Sequence, residues 1–140
     1  MTDHLSSGER SKNMAAIKGK NTTPEMVVRR LAHELGFRFR LHRRDLPGTP
    51  DLVFPKRKAV IFVHGCFWHQ HQSMTCKARP PKTRTDYWLP KLQRNAERDK
   101  VNQEKLRRLG WRVLVIWECQ TKDRERLTDQ LIAFLTPLHN

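Results

Sequence analysis

The segment Val60–His71 constrains this chain more than any other stretch. It begins with four consecutive apolar residues, three of them β-branched, which is typical of a buried strand. From His64 onward the apolar run gives way to a glycine, a cysteine, two large aromatic residues and three histidines. Active-site side chains commonly follow a rigid support of this kind. The sequence therefore predicts a functional site at the end of this strand.

The charge balance predicts a polyanionic partner. The chain has 28 Lys and Arg against 14 Asp and Glu, which gives a net charge of +14 and a pI near 10.6. Such a surplus is typical of proteins that bind nucleic acid, although a ribosomal or merely soluble basic protein shares it. The sequence has neither an apolar run of about 18 residues nor the apolar core of a secretory signal. We therefore expect a cytoplasmic, nucleoid-associated protein with no membrane segment.

The periodicity of the 140 residues predicts one α/β or α+β domain with a mixed sheet flanked by helices. Residues 51–54 and 59–63 are expected to form a hairpin. A first helix is expected after an N-cap at Thr23, with Glu25 as an ordinary acid of the first turn. The remaining strands are expected at 37–41 and 111–117, and a last helix at 123–135. One helical segment is expected to open at 85–88 and a second, separate one at Pro90. The second segment carries a sparse apolar stripe of Leu92, Ala96, Leu106 and Leu109.

Residues 1–21 form a polar, basic N-terminal stretch that includes Lys12. Two interpretations stay open for it: a frayed terminus, or an arm or short helix that contacts DNA. Residues 22–140 then make up a single domain.

Asp51 and His64 stand at neighbouring ends of the expected hairpin, so their side chains should lie close together. A carboxylate at that point is suited to Mg²⁺, and the main-chain oxygen of Val63 is a second candidate oxygen ligand. Such an ion would favour phosphodiester hydrolysis, with His64 or His69 as base or acid. The alternatives are that Asp51 closes a turn and that the histidines only pack.

The chain has three cysteines, and this odd number argues against a pure disulfide framework. Three thiolates and one imidazole make a set suited to tetrahedral Zn²⁺ with no open position, so the zinc would be structural. The expected ligands are Cys66, His71, Cys76 and Cys119. The alternative is that the cysteines are simply buried.

Three aromatic residues, Phe67, Trp68 and Trp88, lie among polar residues. In a basic protein such side chains can stack on bases or wedge between base steps. Packing over the zinc loop is the alternative.

Motifs in order along nearly the whole chain resemble the very short patch repair (Vsr) DNA mismatch endonucleases. The segment from Val63 to His69 is the most specific of them. The others are Arg10–Met14, Pro24–Glu25, Leu46–Asp51, Tyr87–Trp88, Arg94–Asp99, Gly110–Val113 and Trp117–Cys119.

The resemblance implies a restriction-endonuclease-like fold related to the PD-(D/E)XK nucleases, with a structural zinc. It implies a Mg²⁺-dependent nick 5′ to the mismatched thymine of T:G pairs that arise from deaminated 5-methylcytosine. A DNA cytosine methyltransferase would be its functional partner, mismatch-repair proteins would be further partners, and the protein would act as a monomer.

Family roles carried onto this sequence make Asp51 the metal-binding carboxylate and His69 the general base. His64 and Glu25 would be supporting active-site residues, and Asp99 an acid behind them. The residues implied to contact DNA are Phe67, Trp68, Trp88, Lys12, Asn13 and Met14, with the N-terminal helix against the minor groove.

Two positions depart from the family pattern. Val63 stands where the family commonly has threonine, which leaves only its main-chain oxygen for a metal. Ser73 stands where a family cysteine usually follows His71, so the ligand is assigned to Cys76. A restriction-type nuclease with another target, and a non-catalytic zinc-braced DNA-binding module, remain the alternative functions.

Overall fold

The computed structural model describes residues 22–66 and 84–136. This part of the chain forms a four-stranded sheet with three α-helices. In chain order the elements are α1 (Thr23–Glu34), β1 (Arg40–Leu41), β2 (Leu52–Phe54), a 3₁₀ turn (Pro55–Arg57), β3 (Ala59–His64), α2 (Thr85–Arg108), β4 (Arg112–Trp117), a second 3₁₀ turn (Glu118–Lys122) and α3 (Arg124–Leu135).

The sheet is mixed, and its strands follow the order β1-β2-β3-β4. The first two pairings are antiparallel, and β3 pairs with β4 in parallel. The predicted hairpin is confirmed, because β2 and β3 pair from Leu52–Ile61 to Phe54–Ala59 around the short 3₁₀ turn. The parallel pairing places the carboxyl ends of β3 and β4 at one edge, with His64 opposite Trp117.

The two faces of the sheet are covered by different helices. On one face, buried residues of α1 and α3 such as Leu31 and Leu131 pack against Leu52 and Ile61. On the other face, Leu106 of α2 lies in a cluster with strand residues such as Val60. The expected mixed sheet with flanking helices is therefore confirmed.

No helix in these two ranges has the length and apolar character that a bilayer span requires.

Strand β1 is shorter than the predicted strand 37–41. Its register pairs Arg40 with Val53 and would bring Arg38 opposite Pro55. Pro55 has no N–H to donate and begins a 3₁₀ turn, so the ladder ends there. The preceding residues contribute packing instead, since the Phe39 ring meets Phe54 edge-on at 5.7 Å between centroids.

Two helix boundaries also differ from the sequence-based expectation. The N-cap of α1 is Thr22 rather than Thr23, because the Thr22 hydroxyl accepts the Glu25 N–H at 3.3 Å. Helix α2 continues through Pro90, where two segments were expected. Pro90 is exposed, so water can bind the Asp86 carbonyl that loses its helical donor.

The apolar stripe of α2 holds only in part. Leu92 and Leu106 are buried, but Leu109 is 58% exposed. Leu109 is the C-cap of the helix, so it lies beyond the face that packs on the sheet.

Gly48 fixes the turn that leads to Asp51. Its φ of +75° lies in the left-handed region, and a Cβ there would meet Asn102 Cβ at 3.0 Å and Phe62 Cε1 at 3.2 Å. Gly110 has φ +92° but nothing within 4 Å of an added Cβ. The turn therefore lies so close to α2 that a Cβ at Gly48 would require its neighbours to move by a few tenths of an ångström.

Gly48→Ala should accordingly destabilise the fold more than Gly110→Ala. Backbone strain of about 1–2 kcal/mol applies to both variants, and overpacking of about 1–3 kcal/mol applies only at Gly48. Urea unfolding of the two variants measures the difference. Equal losses would show that the turn moves away from α2 without cost.

Candidate active site

Asp51 lies in the bend directly before β2, beside the end of β3. Its Oδ2 atom accepts a hydrogen bond from the Val63 N–H at 2.7 Å. This bond ties the carboxylate to β3, the strand that ends with His64. The other carboxylate oxygen, Oδ1, faces His42.

Asp51 shares its site with Glu25 and His42. The Glu25 side chain is 1% exposed, and its Oε2 lies 2.9 Å from His42 Nε2. The same His42 nitrogen is 3.9 Å from Asp51 Oδ1. One donor atom from each residue lies within 4.8 Å of the others, so the group is able to hold a metal ion. Glu25 is therefore more than an ordinary acid of the first helical turn, because its side chain is buried beside His42.

His42 was missed by the sequence analysis. It follows β1, whose pairing of Leu41 with Leu52 brings His42 opposite Asp51. Its N–H donates to the Asp51 carbonyl at 3.3 Å, and its φ is +48°. The available signal was strand register. If β1 and β2 are assumed to pair, counting along the two strands places His42 opposite Asp51. No local motif marks His42, which lies in the basic sequence Leu41-His42-Arg43-Arg44.

Burial raises the pKa of Asp51 from its ordinary value of 3.8 to about 7. The Val63 N–H acts in the opposite direction, because it stabilises the charged carboxylate. Glu25 adds to the rise, since a second carboxylate nearby disfavours another negative charge. Such a shift is typical of functional carboxylates.

The metal-free protein should therefore lose stability as the pH rises from about 4 to about 7. In that window the folded state keeps a proton on Asp51 that the unfolded state has released, so a higher pH favours unfolding. The loss is at most about 1.4 kcal/mol per pH unit, which is the value for one proton. Chemical unfolding across this range, compared with Asp51→Asn, isolates the Asp51 contribution. Parallel curves for the two proteins would contradict the shift.

His64 ends β3 and is 4% exposed. Strand alternation places it on the same face as Val60 and Phe62, which is the face covered by α2. Its Nδ1 lies 4.0 Å from Asp99 Oδ2 of α2, and its ring meets Trp117 edge-on at 5.2 Å. The Asp99 carboxylate therefore lies next to His64.

Cys66 and Cys119 follow the paired ends of β3 and β4 at equal spacing. His64 lies opposite Trp117, and each cysteine comes two residues later. Cys66 is buried and Cys119 is half-buried. Parallel strands bring their carboxyl ends together, so Cys66 and Cys119 both follow strands that end at the same end of the sheet.

Trp88 lies in the first turns of α2 beside an exposed Tyr87. The two rings meet edge-on at 5.1 Å. Arg84 is 4.8 Å from the Tyr87 ring, and Lys91 Nζ is 6.0 Å from the Trp88 ring. Aromatic and cationic groups thus cluster at this helix end.

Several expected functional residues lie outside the described ranges. They are the base His69, the zinc ligands His71 and Cys76, the aromatic residues Phe67 and Trp68, and the N-terminal stretch 1–21 with Lys12, Asn13 and Met14.

The sequence matches known endonucleases along nearly its whole length. Residues 2–75 match the sequence model of the family described as DNA mismatch endonuclease Vsr. The type II nicking enzyme V.XorIIP of Xanthomonas oryzae is 50% identical over 98% of this chain and 99% of its own length. DNA mismatch endonuclease Vsr of Escherichia coli is 44% identical over 95% of this chain and 84% of its own length.

The fold resembles a solved nuclease domain. The catalytic domain of the homing endonuclease I-Bth0305I matches with a TM-score of 0.57 and 23% identity, over 81% of this chain and 94% of that domain. At this identity the likeness concerns the fold alone, and it agrees with the expected restriction-endonuclease-like architecture. Together with the family match, these observations show that the chain belongs to the Vsr family and is a DNA endonuclease.

Proposed function

We propose that this protein nicks one strand of duplex DNA 5′ to the mismatched thymine of T:G pairs left by deamination of 5-methylcytosine. The observation that carries the proposal is the Glu25–His42–Asp51 group beside the end of β3, in which Glu25 is buried and the other two residues are half-buried. It occurs in a chain that is 44% identical to DNA mismatch endonuclease Vsr. The net charge of +14 supports a DNA substrate.

Asp51 and the main-chain oxygen of Val63 would hold the catalytic Mg²⁺. Asp51 Oδ2 is engaged by the Val63 N–H, so Oδ1 is the atom suited to the ion. The N–H and C=O of one strand residue point to the same neighbouring strand, which directs the Val63 carbonyl toward Asp51 as well. When bound, Mg²⁺ would offset negative charge on the phosphate and orient water. Oxygen donors of this kind fit that ion.

The remaining side chains would hold and move protons around this centre. His69 is proposed as the general base that takes the proton from water, and His64 supports it. The Asp99 carboxylate 4.0 Å from His64 Nδ1 suits orientation of that ring and stabilisation of its charged form. Glu25 lies beside Asp51 and adds negative charge that favours retention of a cation.

A structural Zn²⁺ would join the loop after β3 to the end of β4. Cys66, His71, Cys76 and Cys119 are the proposed ligands, which is a donor set suited to zinc. The matched positions of Cys66 and Cys119 beyond two paired strands support this proposal. Four protein ligands leave no open position, so this ion would stabilise the fold and take no part in the chemistry.

Aromatic residues would recognise the mismatch and basic residues the backbone. Phe67, Trp68 and Trp88 are proposed to enter the duplex beside the T:G pair, where the weaker pairing lowers the cost of unstacking. Residues 1–21, with Lys12, Asn13 and Met14, would lie against the minor groove, and residues 22–140 would form the endonuclease domain. Arg84 and Lys91 around Tyr87 and Trp88 support DNA contact at the start of α2.

The biological setting follows from the proposed substrate. T:G pairs from 5-methylcytosine arise at the sites of a DNA cytosine methyltransferase, so that enzyme would be the functional partner. The protein would act as a cytoplasmic monomer on the nucleoid, with mismatch-repair proteins as further partners.

A strand-specific nicking assay tests this proposal. Duplexes that carry T:G, the other mismatches or full pairing, each in several flanking sequences, are incubated with the protein and Mg²⁺. We expect one nick, 5′ to the thymine, in T:G duplexes only. Equal nicking of all mismatches would refute the specificity.

A restriction-type endonuclease with another target is the second candidate. Relatives such as V.XorIIP carry the description type II nicking enzyme, which favours this alternative. Cleavage of both strands of a fully paired duplex would establish it. DNA binding without any cleavage would instead indicate a zinc-braced binding module.

A further inference from the structure

His42 lies in the candidate metal-binding group with Glu25 and Asp51. No function has been assigned to it above. It lies opposite Asp51 and donates its backbone N–H to the Asp51 carbonyl at 3.3 Å. Its φ of +48° is a left-handed conformation that histidine adopts more readily than most residues. The side chain is only 12% exposed. The ring is therefore shielded from solvent, and its Nε2 faces the two carboxylates.

The donor distances suit a shared cation. Two ligand atoms that each bind an ion at about 2.1 Å must lie within about 4.2 Å of each other. His42 Nε2 is 2.9 Å from Glu25 Oε2 and 3.9 Å from Asp51 Oδ1. The donor atoms of all three residues lie within 4.8 Å of one another, so small side-chain shifts would let one cation bind the imidazole nitrogen together with both acids.

The charges of the site also call for a cation. Glu25 is buried at 1% exposure, and Asp51 has 17% of its side chain exposed. Two carboxylates this close are both ionised at low cost only when positive charge lies beside them. Arg29 Nη1 lies 3.5 Å from Glu25 Oε2, whereas His42 Nε2 lies within 3.9 Å of an oxygen of each acid.

We propose that His42 and Glu25 join Asp51 as ligands of the divalent metal, and that the imidazole nitrogen of His42 makes the site prefer transition-metal ions such as Co²⁺ to Mg²⁺. This inference rests on the metal-dependent function proposed above and deepens it. Mg²⁺ favours oxygen donors, whereas later divalent ions gain affinity from imidazole. In the bound state Nε2 offers its lone pair, and the ring proton resides on Nδ1.

Metal titrations of the zinc-loaded full chain test the proposal. Co²⁺ and Mg²⁺ affinities are measured by calorimetry for the parent, His42→Gln and His42→Asn. Glutamine keeps a hydrogen-bond donor for Glu25, and asparagine tolerates the left-handed backbone. We expect Co²⁺ affinity to fall about tenfold or more and Mg²⁺ affinity to change less than about threefold. The Co²⁺-shifted imidazole proton resonance in the NMR spectrum should disappear in both variants.

His33→Gln is the matched control, because His33 is exposed in the last turn of α1. It should leave both affinities and the shifted resonance unchanged.

Unchanged Co²⁺ to Mg²⁺ preference in both His42 variants, with the resonance retained, would overturn the proposal. A loss of nicking without a change in preference would also overturn it, since His42 would then act only through its bond to Glu25. Asp51→Asn separates these results from a failure of the proposed function. If that variant binds both ions like the parent, the metal site itself is assigned wrongly and the His42 proposal falls with it.

Discussion

Asp51→Asn is expected to lower the nicking rate on a T:G duplex by a factor of about 1,000 or more. Asparagine can still accept the Val63 N–H, but it removes the negative charge that the proposed Mg²⁺ needs. Binding of the duplex should stay within about threefold, because phosphate contacts by basic residues dominate affinity. Single-turnover nicking and fluorescence anisotropy measure the two quantities.

Asp45→Asn is the matched control for this prediction. Asp45 lies in the same turn, is exposed, and pairs with Arg43 at 2.6 Å and 3.0 Å. Arg43 lowers the pKa of Asp45, in contrast to the raised pKa of Asp51. We expect normal nicking from the control. A rate above about one tenth of the parent in Asp51→Asn would exclude Asp51 as an essential metal ligand.

Cys119→Ser should reduce the affinity for structural Zn²⁺ by at least about 100-fold, since loss of a direct ligand costs no less than loss of a supporting partner. Stability should fall with it, because metal binding is coupled to folding. The effect should be large because Cys119 lies beyond β4, whereas Cys66 lies beyond β3, so the proposed ion would join two segments distant in the chain.

Elemental analysis of purified protein and urea unfolding measure these effects. Ser73→Ala serves as the control, since Ser73 occupies the position at which the family usually has cysteine but is not a proposed ligand here. It should retain one zinc per chain and normal stability. Equal zinc content in Cys119→Ser and the parent would remove Cys119 from the ligand set.

The hairpin of β2 and β3, strand β4 and helices α1 and α3 could be predicted closely from local pattern. Apolar runs, helix caps and terminating glycines can each be identified from a few neighbouring residues. Burial of the apolar runs then determines which segments form strands and helices. The prediction was wrong at Pro90, where a residue that usually ends a helix lies inside one. Pro90 was expected to divide α2, yet its exposed position lets water replace the missing helical donor.

The candidate site divides in the same way. Asp51 beside the end of β3 followed from one short hairpin, whose register the turn itself limits. His42 did not follow, because its approach to Asp51 depends on where β1 stops pairing. Its approach to Glu25 depends in addition on how α1 packs across the sheet.

The sequence by itself determined the chemical inventory of this protein: a basic chain with a carboxylate, histidines and cysteines at the ends of apolar strands. Only the tertiary structure decided which of these groups meet, and it joined Glu25 and His42 to Asp51. The physical reason is that periodicity along a chain reports which residues are buried. Contact between distant segments depends on strand register and helix packing, which the whole fold fixes together.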